Sequence, residues 1–85
     1  MNFGDAINAM KSGLRVSRKG WNGQGQFVEI GSKFSYVSTS TNTTINANHE
    51  DISGQAFVFH GTRGVQVGWL ASQADMLADD WFVVK

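Results

Sequence analysis

The chain has 85 residues, 41% of them hydrophobic, no cysteine, and seven basic residues against seven acidic. That length supports one core and excludes a second, so 1–85 reads as a single domain; no disulfide can stiffen it, and oligomerisation is the remaining source of buried surface. A formal charge of zero offers no basic face to the phosphates of DNA or RNA, which excludes a grip on a nucleic-acid polymer.

Charged residues make up 16% of the chain, against about 25% in an ordinary soluble domain, as expected of a surface partly covered by partner subunits. The opening stretch MNFGDAINAMKSG is too polar for a secretory signal, and no apolar run approaches membrane-spanning length. A cytosolic protein without a membrane partner is expected.

Phe3, Ala6, Ile7 and Met10 recur at helical spacing, with Asn2 placed to cap and Asp5 three residues later; Gly13 is expected to end this helix. LRVSR, residues 14 to 18, alternates as a strand with Leu14 and Val16 toward the core and Arg15, Ser17 and Arg18 on or near the other face. The turn 19–25 comes next, then QFVEI as a second strand and Phe34 to Val37 as a third. Residues 38–53, rich in Ser, Thr and Asn, read as a long loop or a weakly paired polar hairpin. AFVFH (56–60) and VQVGWL (65–70), joined by a turn between Gly61 and Gly64, make a hairpin. Ser72 to Asp75 has the form of a capping box opening a short helix through Ala78, and Trp81 to Val84 is the last strand. The elements define an α+β fold, a small antiparallel β-sheet with an N-terminal helix and a short C-terminal helix packed on it.

Catalytic constellations are hard to find. His49-Glu50-Asp51 and His60 lack the spacing of a zinc helix, so neither a metal site nor a cofactor is expected. The serines have no nucleophile elbow. Asp75, Asp79 and Asp80 could pair for acid-base work, but Asp75 stands where a capping acid belongs and the other two stand at the helix exit. GQG is too short for a phosphate-binding fingerprint.

The aromatic and amide inventory is richer. Trp21, Trp69 and Trp81 stand with Arg18, Asn22, Gln24, Ser72 and Gln73, side chains able to stack a flat base and bond its edge or a ribose. Trp81, leading an apolar strand, reads as core. Trp69 and Trp21 are open between a core peg and a ligand surface; beside a glycine and an asparagine, Trp21 leans to the ligand surface.

MNFGDAINAMKSG, VSRKGWNG and WLASQADMLADDWFVV, in this order and spacing, resemble the phage family Thoeris anti-defense 2. The central polar stretch carries no part of the resemblance. It implies a non-enzymatic, tetrameric sponge of the host bacterial cytoplasm, holding cyclic nucleotide signals and above all glycocyclic ADP-ribose made by TIR-domain proteins. Some members also hold cyclic dinucleotides in separate pockets. A hydrolase of the same signal and a structural or protein-binding module stay open as alternatives. Side-chain chemistry suggests roles. Trp21 stacks the purine, with a second such turn or the Trp69 segment of a neighbouring subunit opposite, and Asn22 and Gln73 bond its edge or a ribose. Ser72 and the helix-start amides receive a phosphate, Arg18 neutralises charge, and Asp75 caps the helix or accepts a ribose hydroxyl.

Overall fold

In a computed structural model, residues 1–21, 25–52 and 54–85 are described; the candidate residues Asn22 and Gln24 lie outside them. The chain starts with α1 (Phe3–Lys11). Asn2 accepts the Asp5 amide at 2.8 Å while the Asp5 carboxylate accepts the Asn2 amide at 3.3 Å. The expected capping box is thus present and satisfies two amides that a helix start leaves unpaired. The helix stops because Gly13 adopts φ +87°, a conformation costly for any residue with a Cβ.

Five strands then form one antiparallel sheet in the order β6-β5-β2-β1-β7. They are β1 (Arg15–Arg18), β2 (Phe27–Gly31), β5 (Ala56–Gly61), β6 (Gly64–Val67) and β7 (Trp81–Val84). Val16 stands opposite Val28 on one side and Val83 on the other, and Val28 stands opposite Phe59. Because side chains alternate along a strand, these residues share one face, and α1 covers it with Ala6 and Met10. Val16 and Val28 are fully buried, each worth roughly 1.5–3 kcal/mol of transfer free energy. Trp81 completes this core at 2% exposure, with Phe3 tilted against it at 5.3 Å.

Two details of the first strand differ from the sequence expectation. Leu14 is exposed, since β1 begins only at Arg15 and Leu14 still belongs to the helix exit, where its amide donates to Ala9. Arg18 pairs in register with Trp81 and lies two residues from buried Val16, so alternation puts it on the helix-covered face rather than the other.

The polar middle is a small separate hairpin of β3 (Tyr36–Val37) and β4 (Thr44–Ile45); the third strand is shorter than expected. Asn46 organises the turn after β4. Its amide donates to the carbonyls of Phe34 and Glu50, and its oxygen accepts the Glu50 amide. The second helix, α2 (Gln73–Leu77), starts at the expected Ser72 cap.

Candidate functional site

Asp75 is the hub of the candidate site. Its Oδ1 receives Arg18 Nη1 at 2.7 Å and the Trp21 indole N–H at 3.2 Å. Its Oδ2 accepts the Ser72 amide, its own amide donates to Ser72 Oγ, and its carbonyl takes the Trp81 indole N–H at 2.9 Å. One short helix therefore fixes two tryptophans and an arginine from the start and end of the chain. Arg18 turns its Nε to Asp80 Oδ1 at 2.8 Å, and Asp80 Oδ2 accepts the Gly20 amide. A Cβ on Gly20 would stand 3.1 Å from that oxygen, so a larger residue would crowd the turn against its anchor.

The ion pairs are shielded, with Arg18 and Asp75 side chains 18% and 13% exposed. Burial pushes the Asp75 carboxyl up, but hydrogen bonds from Arg18, Trp21 and Ser72 outweigh it and hold the group below the ordinary carboxylate range. The hydrogen bond from Arg18 does the same for Asp80, against a smaller cost of burial. Arg18 is raised by Asp80 and Asp75 in turn. All three groups are thus charged at neutral pH, and Arg18 has its charge offset by two carboxylates.

Trp21 is half-buried and stands edge-on to three rings: Trp81 at 5.3 Å, Phe59 at 5.4 Å and Trp69 at 6.1 Å. Trp69 in turn stacks on Phe59 at 6.1 Å with 16° between planes. Such aromatic pairs add about 0.5–1.5 kcal/mol each beyond area burial. The indole is therefore a peg in an aromatic cluster. It is also a wall. A groove of about 430 Å³ is lined by Trp21 with Ser17, Arg18, Lys19, Gly25, Gln26, Phe82 and Val84. A smaller hollow of about 180 Å³ lies between Trp21, Gln26, Phe59, Trp69 and Asp75.

Of the residues singled out in the sequence, Arg18, Trp21, Trp69 and Asp75 come together here, with Ser72 bonded to Asp75. Gln73 is exposed on the first turn of α2, outside these bonds, and Asn22 lies outside the described residues. Ser72 donates its amide to Asp75 and accepts the Asp75 amide on its hydroxyl oxygen. Sequence reasoning passed over Lys19, Gln26 and Phe82. Lys19 adjoins the singled-out Trp21 turn in SRKGWNG, and Phe82 must face away from core Trp81 by alternation alone. The two histidines lie apart: His49 Nδ1 stands 3.0 Å from the Lys33 carbonyl oxygen, and His60 pairs with Glu29.

The architecture is that of a small α+β module whose sheet carries an aromatic cluster tied by one arginine and two carboxylates. Residues 1–84 match the family model of the Thoeris anti-defense 2-like domain. The chain is also 31% identical over 85 residues, all of its length and 96% of the relative's, to Thoeris anti-defense 2 of Bacillus phage SP01. The chain belongs to the Thoeris anti-defense 2 family.

Proposed function

We propose that this protein is a sponge that binds a cyclic nucleotide immune signal, of the glycocyclic ADP-ribose class made by TIR-domain proteins, and sequesters it without cleavage. It acts in the cytoplasm of the host bacterium as a homotetramer. Family membership supports the class of function, and one observation supports the place: the groove beside Trp21 joins an indole to the cations of Arg18 and Lys19. An aromatic wall suits a purine, and cations suit a pyrophosphate.

Within that groove the charges divide the work. Arg18 is held by Asp75 and Asp80, so it fixes the wall more than it attracts an anion. Lys19 is exposed and offers an ammonium to a phosphate. Trp21 is fixed edge-on to its neighbours before any ligand arrives, which reduces the ordering cost of binding.

Assembly serves the same end. A ligand with two phosphates, two riboses and a base needs a pocket of several hundred cubic ångströms, mostly enclosed, and a groove on one chain covers only one side of it. Among the described residues, exposed apolar side chains include Val65, Val67 and Phe82 on the edge strands of the sheet and Leu70, Met76 and Leu77 around α2. A tetramer built from two kinds of two-fold contact uses two such surfaces.

A sponge must outcompete an immune effector by mass action, which calls for a dissociation constant near nanomolar, about −12 kcal/mol. No turnover is needed. The test is a thermal-shift panel of cyclic nucleotides: the cognate signal should raise Tm in proportion to ligand excess. A flat response across the panel would remove the proposal.

A further inference from the structure

The face of the sheet turned away from α1 has a pattern that the aromatic cluster does not use. Strand registers align Val58, Glu29, Arg15 and Val84 in one row across β5, β2, β1 and β7. They align His60, Phe27, Ser17 and Phe82 in the next. On β6, Val65 and Val67 extend the rows at 61% and 56% exposure. The exposed apolar side chains stand at the two edges of this face, Val65 and Val67 on β6 and Phe82 on β7, while Val58 and Ser17 between them are buried within the chain.

Charge lies in the middle of the face rather than at its rim. The Arg15 guanidinium stands 4.8 Å over the Phe27 ring, Phe27 stacks on His60 at 4.2 Å, and His60 Nε2 is 2.7 Å from Glu29 Oε2. A base and an acid are thus pinned on adjacent strands, surrounded by apolar side chains.

We propose that this face docks on the same face of a second copy of the chain, about a two-fold axis running along the strands between β1 and β2. Such a contact is isologous, so each pairing occurs twice. That axis sets Arg15 against the partner's Glu29 and Glu29 against the partner's Arg15. It also sets small Ser17 against the partner's Phe27, and Phe82 against the partner's His60. Base therefore meets acid twice, and the small Ser17 meets one of the large rings of the face. An axis centred on β2 would instead set Glu29 against its own copy, which like charges oppose. Stacked sheets stand about 10 Å apart with interleaved side chains, room for this packing.

The inference rests on the proposed tetrameric assembly and says which face carries it. Ser17, Phe82 and Val84 belong both to the face and to the groove beside Trp21. A second copy docked here closes one side of that groove.

The test uses light scattering on Arg15→Glu, on Glu29→Arg and on their mixture. The Arg15→Glu chain presents two acids in the face, and the Glu29→Arg chain two bases. Each alone should run at half the parental mass or less, and mixing should restore the parental mass. In each chain the neighbouring like charges persist, so recovery on mixing can come only from pairing between chains. Parental mass for both variants alone, or no recovery on mixing, would overturn the proposal. Parent protein running at a single-chain mass near 9.3 kDa would instead overturn the assembly reading itself. Far-UV circular dichroism checks folding. If a charge variant unfolds, Phe82→Glu takes its place: dissociation supports the face, and parental mass overturns it.

Discussion

Trp21 and Asp75, 54 residues apart in the chain, are joined by a 3.2 Å hydrogen bond from the indole N–H to Oδ1, and the same oxygen receives Arg18. The tryptophan is thereby both held and aimed: its N–H is fixed at one end while its ring closes the groove. Any substitution here acts on two properties at once, and the substitutions can be chosen to separate them.

Trp21→Ala removes a ring that touches three others, and should cost up to the roughly 3–5 kcal/mol typical of large aromatic truncations. For a domain with a total stability of about 5–15 kcal/mol, this is a large fall in Tm. Trp21→Phe keeps most of the packing and loses the bond to Asp75, worth about 1 kcal/mol. Thermal melts of the two variants beside the parent should therefore rank Phe well above Ala. Equal melts for Ala and parent would show that the ring is not a peg.

Asp75→Ala leaves Trp21 and Arg18 without their shared anchor, while Trp81 keeps the backbone carbonyl of residue 75. The Arg18 Nη1 and the Trp21 N–H lose their acceptor, at about 1–3 kcal/mol for a partly buried donor left unpaired, and the side-chain bond to the Ser72 amide goes as well. Chemical denaturation should register the loss in the midpoint with an unchanged slope.

Much of this was legible in the chain. Asn2 with Asp5 and Ser72 with Asp75 are local signals, three residues apart, and both capping boxes formed where the sequence places them. Apolar periodicity likewise located α1 and the last strand. Arg18 was harder. Its partners lie 57 and 62 residues away, and nothing local to SRKGW reveals that two carboxylates will meet there. The same distance effect left Trp21 open between peg and ligand surface, because Phe59, Trp69 and Trp81 reach it only once the sheet has assembled. Lys19 and Gln26 line the groove through the folding of a turn, which no periodicity encodes.

Acid should destabilise the protein through the same cluster. The native carboxyls of Asp75 and Asp80 lie below their ordinary values, so on acidification the unfolded chain takes up protons before the native one does. The stability they contribute is fully present above the unfolded carboxylate pKa, about 3.9, and is lost as pH falls through the lowered native values. Tm followed from pH 7 downward should fall in that window, and Asp75→Asn should flatten the fall.

Lys19→Ala tests the groove without touching the anchor. A charged hydrogen bond to a phosphate is worth about 1.5–3 kcal/mol, so affinity for the signal should drop by roughly ten- to a hundredfold. Calorimetry should show that drop, and light scattering should show the parental assembly. Unchanged affinity would move the phosphates elsewhere.

Sequestration without chemistry is tested most directly by recovery of the ligand. Excess protein is incubated with glycocyclic ADP-ribose until free signal is depleted, heated to denature the protein, and the supernatant is resolved by chromatography with mass detection. The expected result is stoichiometric return of the intact cyclic molecule. A linearised or hydrolysed product after heating, or no depletion of free signal before it, would contradict the sponge.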